Sequence, residues 1–205
     1  RYKLAPDAIL PGYHARFAAR LVHVTASKSI LGDPAGLAQL HSAAQELTEG
    51  LTELLGVKFA QDCCGTPDET SASVRAAGTL YVQVMDQAGT SLGDEGFEIG
   101  RTSDGDVQIR AGTASAALYG SFHLLSLMQR AEPVPVALKS APALGLRIWD
   151  MWDNIDGSIE RGFGGRSLIW PMALDPANWT RAIALRVEGM SRLLKSVGVN
   201  GAHLR

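Results

Sequence analysis

The chain has 205 residues, of which 46% are hydrophobic and 20% charged, a composition that supports a globular fold with a real core and excludes an intrinsically disordered chain. Lysine and arginine number 19 against 21 acidic residues, a formal net charge of -2, so there is no basic excess to condense on nucleic acid or on an anionic leaflet. No apolar run approaches the roughly 20 residues that span a bilayer, so neither nucleic acid nor membrane is an expected partner.

In chain order, Arg20 to Thr25 reads as a β-type run between proline and glycine breaks. Asp33-Pro34 supplies a cap and a first-turn proline, and Leu37, Leu40, Ala44, Leu47, Leu51 and Leu54 then recur at spacings of three and four. They draw one apolar stripe down a helix that Gly56 stops. A stripe of this kind needs a sheet beneath it. Thr79 to Met85 reads as a strand, and Gly96–Ile99 and Val107–Arg110 flank the turn-rich Ser103–Asp106 as a hairpin. A second helix starts near Thr113, with Leu118, Phe122, Leu125 and Met128 as its apolar face, and the Glu132-Pro-Val-Pro135 stretch ends it. Residues 1–132 are therefore expected to form a two-layer α/β domain. Cys63 and Cys64 are adjacent, the wrong spacing for a zinc knuckle or a redox CxxC and poor geometry for a mutual disulfide. His14, His23, His41, His123 and His203 show no ligand spacing, so neither a metal site nor a cofactor is expected.

Pro133, Pro135 and Pro142 mark residues 133–143 as a connector. Beyond it, Leu144–Met151 reads as a buried strand. Asp175-Pro176 caps a helix carrying Trp179, Ile183, Val187, Met190 and Leu194 on one face, Gly198 stops that helix, and Val199–Leu204 reads as a further strand. Residues 144–205 thus form one β-α-β unit, whose strands lack residues of their own to cover both faces and edges. The expected fold class is α/β: a two-layer domain followed by the first unit of a larger α/β fold. The opening at Arg1 carries no charged segment followed by an apolar one, so a secretion signal is not expected within this chain.

All four tryptophans, Trp149, Trp152, Trp170 and Trp179, fall in the second half, together with Arg147, Asp150, Asp153, Asp156, Glu160, Arg161 and Arg166. Most of this set lies on or just past the C-terminal end of the first strand of the unit, where such folds gather their chemistry. Indole faces beside carboxylates and guanidinia suit a polyhydroxylated ligand, the sugar C–H face packing on the ring while hydroxyls and a carboxylate pair with the charged groups. The ligand class is a carbohydrate, and the arginines suit an acidic one. Structural roles compete with this reading. Trp149 on the strand and Trp179 on the helix are expected in the core, Asp153 and Asn154 could cap the loop backbone, and Glu160 with Arg161 or Arg166 could form an ordinary ion pair.

The segment WDNIDGSIERGFGGRSLIW, residues 152–170, closely resembles the first barrel loop of the family 67 glycoside hydrolases, the xylan α-1,2-glucuronidases. LGDEGFEIGR at 92–101 and AGTASAALYGSFHLLSLMQ at 111–129 are similar to the small α/β domain that precedes the barrel in that family. Related domains precede the barrels of several hexosaminidase families as well. The family usually carries Asn-His where this chain has Asp150-Met151, and the closing GVNGAHLR resembles its second barrel strand.

The resemblance implies that residues 144–205 open a (β/α)8 barrel that is incomplete here. It also implies hydrolysis of the α-1,2 bond between (4-O-methyl)glucuronic acid and the terminal xylose of short xylo-oligosaccharides, with inversion. Inverting chemistry uses an acid and a base about 6.5–9.5 Å apart, and in the family these come from later barrel strands, so no catalytic residue is expected in this chain. Trp152, Asp153, Asn154, Glu160, Arg161 and Arg166 are then substrate-binding: Trp152 as an apolar wall, Asp153, Asn154 and Glu160 as hydroxyl partners, and an arginine near the uronate or bracing the loop. The implied partner is a small acidic oligosaccharide, an aldouronic acid, and the parent enzyme would be a homodimer through a C-terminal region not present here. Family members act inside bacterial cells and outside fungal ones. Two other readings stay open: a free-standing carbohydrate-binding module, and the N-terminal part of a β-N-acetylhexosaminidase-type enzyme.

Overall fold

The computed structural model describes residues 12–67, 76–86, 92–162, 164–170 and 181–203. The chain divides into two compact units, Arg1–Pro142 and Ala143–Arg205.

The first unit runs α1 (Gly12–Arg16), β1 (Leu21–Ala26), α2 (Lys28–Leu31), α3 (Pro34–Leu55), β2 (Ala60–Gly65), β3 (Leu80–Val84), β4 (Phe97–Arg101), β5 (Val107–Ala111), α4 (Ala114–Gln129) and β6 (Ala137–Ser140). Its six strands form one sheet in the order β2-β1-β3-β5-β4-β6. Strands β2, β1, β3 and β5 run parallel, while β4 lies antiparallel between β5 and β6. The hairpin foreseen at Ser103–Asp106 joins β4 to β5, with Phe97 opposite Ala111 and Arg101 opposite Val107.

Helix α3 begins and ends where its residues dictate. The Asp33 carboxylate accepts the backbone N–H groups of Ala35 (3.1 Å) and Gly36 (3.0 Å), two donors that the first turn would otherwise leave unpaired. Gly56 stops the helix in the left-handed region (φ 66°), a conformation that costs glycine little. Leu40, Ala44, Leu47, Leu51 and Leu54 are all buried, as the stripe requires. Thr113 caps α4 by accepting the N–H of Ala116 at 3.2 Å. Helix α4 is buried around most of its circumference, more than a single apolar face would give, because it touches α3 as well as the sheet. Two glycines set those approaches: a Cβ on Gly50 would meet the Leu125 methyls at 2.7 Å, and one on Gly120 would meet Ile109 Cγ2 at 2.8 Å.

Along the sheet, Val22, Val24, Leu80, Val82, Ile99, Val107 and Ile109 enter the core. The residues between them pair across strands: Gln108 Nε2 donates to Gln83 Oε1 (3.2 Å), Arg110 lies 3.9 Å from Glu98, and His23 Nδ1 lies 3.0 Å from Asp62. Three features differ from the sequence expectation. Part of the 133–143 connector is strand β6, whose Ala137–Ser140 pairs with β4; its prolines flank the paired residues and leave every ladder donor in place. Strand β2 carries the polar string AQDCCG, without alternation, and is held by pairing its backbone with β1. Cys63 and Cys64 are joined as a disulfide across a cis peptide, a pairing that their adjacency argued against.

The second unit contains β7 (Ile148–Asp150), a 3-10 turn (Glu160–Gly162), α5 (Arg181–Ser196) and β8 (Gly201–His203). Strands β7 and β8 pair in parallel, Ile148 with Gly201 and Asp150 with His203, which is the expected β-α-β unit. The expected buried strand over Leu144–Met151 is only three residues long and lies exposed, with Ile148 and Trp149 half accessible and only Met151 inside. Trp149, expected in the core, is therefore a surface residue at 49% accessibility. The reason is the width of the sheet: two strands offer no second layer to cover that face. The small core of the unit is Met151, Ile169, Trp170 and Ile183, with Val187 and Met190 against it. The Asp175-Pro176 cap and Trp179 lie outside the described residues. No helix among the described residues is long and apolar enough to cross a membrane.

Candidate substrate-binding loop

Residues 152–170 leave the C-terminal end of β7 and fold back as a small polar hairpin. Asp153 bridges to Ile159, Asn154 N–H donates to the Ser158 carbonyl (2.9 Å), Gly157 N–H donates to the Asn154 carbonyl (2.9 Å), and Glu160 N–H donates to the Trp152 carbonyl (2.8 Å). Gly157 turns the chain at φ 85°, a value that the sequence Asn-Ile-Asp-Gly supplies without strain.

The loop is locked by side-chain oxygens. Asp153 Oδ2 accepts the Ser167 hydroxyl (2.6 Å) and the Leu168 N–H (2.9 Å), tying the two ends of the loop together. Buried Ser167 in turn accepts the N–H groups of Ile169 (3.1 Å) and Trp170 (2.7 Å), ordering the turn that carries Trp170 into the core. Asn154 Nδ2 donates to Ser158 Oγ (2.9 Å). Asp156 accepts the hydroxyl (2.6 Å) and the N–H (2.9 Å) of Ser158, and these hydrogen bonds hold its carboxyl below the usual carboxylate range. Asp153 and Asn154 thus act as loop-closing groups, the structural role that competed with hydroxyl recognition.

Trp152, Arg161 and Arg166 remain toward solvent. Trp152 is 37% accessible, and the Arg161 guanidinium sits 5.5 Å from its ring centroid, a cation–π contact. Arg161 takes a left-handed backbone (φ 58°), uncommon for a residue with a Cβ, within the 3-10 turn that also holds Glu160. Arg166 is exposed and makes no ion pair among the described residues.

Two residues outside the six expected to bind substrate join this group. Asp150 at the end of β7 accepts the Trp152 indole N–H through Oδ2 (3.1 Å), and its Oδ1 lies 2.8 Å from His203 Nδ1 at the end of β8. A carboxylate shared by an indole and an imidazole fixes the Trp152 ring beside the paired strand ends. Parallel register, with Asp150 opposite His203, makes this pair, and no linear spacing announces it. The other end of the strands is structural: Arg147 N–H donates to Asn200 Oδ1 (2.8 Å), and the Arg147 side chain donates to the carbonyls of Gly198 (2.5 Å) and Leu144 (2.6 Å). Away from the loop, the described residues bring one set of metal-ligand side chains together: His41, Cys63 and Cys64.

A two-layer α/β unit and a parallel β-α-β unit with a polar, tryptophan-bearing loop at its strand ends define an α/β protein. A solved GH138 enzyme targeting pectin rhamnogalacturonan II shares this fold, with a TM-score of 0.54, 15% identity and 88% of this chain covered against 18% of that one. The description "Glycosyl hydrolase family 67 N-terminus" matches residues 1–124, and "Glycosyl hydrolase family 67 middle domain" matches residues 127–205. The chain belongs to glycosyl hydrolase family 67. Among its relatives, "Alpha-glucuronidase" of Hypocrea jecorina is 30% identical over 98% of this chain and 23% of its own length. "Probable alpha-glucuronidase A" of Neosartorya fischeri is 34% identical over 80% of this chain and 19% of its own. The chain therefore spans about a fifth of the length of the curated relatives it matches.

Proposed function

We propose that this chain is the N-terminal domain and first barrel unit of an α-glucuronidase that cleaves the α-1,2 bond between (4-O-methyl)glucuronic acid and the terminal xylose of xylo-oligosaccharides. The observation that carries the reading is the family match along nearly the whole chain, reaching into the loop of residues 152–170. The chemistry of the loop supports it. Trp152, held by Asp150 and backed by Arg161, offers a fixed apolar wall for a sugar face, and exposed Arg166 offers a fork for a uronate carboxylate. Glu160 lies on the same turn and serves as a hydroxyl partner. Asp153 and Asn154 contribute by holding the loop closed, and through it Trp152.

Hydrolysis by inversion needs a general acid and a general base placed to leave room for water. In this reading both come from chain outside these 205 residues, and the present residues bind and orient an aldouronic acid. The native partner is that small acidic oligosaccharide, and dimerisation belongs to a C-terminal region of the whole enzyme.

The test compares the 205-residue chain with a full-length protein containing it, measuring release of 4-O-methylglucuronic acid from aldouronic acids. Activity in the long protein alone, lost when Arg166→Ala and Trp152→Ala are combined, is the expected result. Activity in the short chain would overturn the assignment of acid and base to later strands. Tight binding by the short chain with no hydrolysis in either protein would favour a carbohydrate-binding module.

A further inference from the structure

Outside the loop, the one convergence of ligand-type side chains among the described residues is His41 with Cys63 and Cys64. One ligand atom from each lies within 4.8 Å of the others. His41 stands exposed on α3, and the two cysteines stand half-buried on β2, the edge strand of the sheet.

Strand register explains how two consecutive residues come to serve one point. In a regular strand, neighbours face opposite sides of the sheet. Here Val24 pairs with Cys63 but Thr25 pairs with Gly65, so the register slips and Cys64 is the extra residue of a bulge. Bulges at sheet edges re-aim side chains. Both cysteines accordingly pack toward the core side, beneath α3, with Cys63 opposite buried Val24. The helix brings His41 to the same place across 22 residues of sequence, beyond any spacing by which a ligand motif would be read.

We propose that, in its reduced form, this chain binds a soft divalent cation of the zinc group through the Cys63 and Cys64 thiolates and the His41 imidazole, clipping α3 to edge strand β2. Two thiolates and one imidazole form a ligand set that suits zinc and cadmium over hard cations such as magnesium or calcium. Bond lengths of about 2.3 Å to sulfur and about 2.0 Å to nitrogen separate bound ligand atoms by roughly 3.5–3.8 Å, so on reduction the two sulfurs, bonded to each other in the disulfide, have to move apart while the His41 imidazole stays within its present 4.8 Å of them. The exposed side of His41 leaves a fourth position to water. Two thiolates neutralise a dication, and their deprotonation makes binding release protons. The disulfide and the metal use the same sulfurs, so the site exists only where the pair is reduced. Strand β2 contributes few apolar side chains, which gives a clip at this edge a structural purpose.

The experiment titrates the 205-residue chain with cadmium and with zinc under a non-thiol reductant. It follows the cadmium–thiolate absorption, the protons released and the melting temperature. One equivalent bound, an upward shift of melting, loss of binding in Cys63→Ser and Cys64→Ser, and roughly tenfold or greater weakening in His41→Ala are the expected results. Alkylation of both thiols in the folded parent chain repeats the cysteine test without a substitution, and far-ultraviolet circular dichroism checks each variant for folding. An absence of binding in the reduced chain, binding that survives alkylation, or unchanged affinity in His41→Ala would each overturn the proposal.

Discussion

The two units of this chain are ordered by different forces. In the first, a six-stranded sheet sends Val22, Val24, Val82, Ile99 and Ile109 into a core shared with α3 and α4, and its order follows from apolar burial. In the second, a two-stranded sheet leaves Ile148 and Trp149 exposed, and the loop that follows is held by Asp153, Asn154, Asp156 and Ser167 through hydrogen bonds. The large apolar core lies in the first unit, and the loop proposed to bind substrate lies in the second. A loop held by polar contacts keeps its guanidinia near solvent, as the proposed sugar site requires, and it does so with little apolar burial of its own.

The aromatic residues make this contrast measurable. All four tyrosines, Tyr2, Tyr13, Tyr81 and Tyr119, lie in the first unit, and all four tryptophans lie in the second. The largest effect is expected from Leu47→Ala, which empties a fully buried position of α3 and should cost about 2–5 kcal/mol. Urea unfolding followed by tyrosine emission and circular dichroism should move to lower denaturant while the tryptophan transition stays in place. A matching shift in both signals would mean that the units unfold as one.

Asp153→Ala should come next, with about 1–3 kcal/mol lost locally as the Ser167 hydroxyl and the Leu168 N–H lose their acceptor. Tryptophan emission should change while the tyrosine-reported transition holds; an unchanged tryptophan signal would show that the loop does not depend on this carboxylate. Asp33→Ala should remove the α3 cap at a cost of about 1 kcal/mol, read in the first unit alone.

His123 provides a smaller, pH-dependent effect. Burial beside Phe97 pulls its pKa below the ordinary imidazole value, so the unfolded chain takes up its proton more readily than the folded one. Its contribution is fully present above a pH of about 6.5, declines as pH falls below that value, and levels off once the folded-state pKa is passed. Melting of the first unit between neutral and mildly acidic pH should show this slope, and His123→Gln should flatten it. The smallest effect is expected from Leu185→Ser on the exposed side of α5, within about 0.5 kcal/mol in this chain. A cost several times larger would mean that this face is covered.

The elements most legible in the sequence were those with a strong local period and marked ends. The stripe from Leu40 to Leu54, bounded by Asp33-Pro34 and Gly56, became α3 with both caps in place, and the Ser103–Asp106 turn became the β4–β5 hairpin. Strand β2 was invisible because a polar edge strand borrows its order from the backbone beside it. Strand β6 was masked by the prolines around it. Trp149 was misjudged because burial depends on what lies above a strand as well as on the residue itself.

By itself the sequence determined the α/β alternation, the β-α-β character of the second half and the loop that carries the family resemblance, since local periods, caps and turn residues act within a few positions of one another. Only the tertiary structure decided that Asp150 meets His203, that Asp153 reaches Ser167, and that His41 comes to the cysteine pair. Strand register, a bulge and the path of a helix over the sheet set those meetings, and each joins residues whose separation along the chain carries no periodic signal.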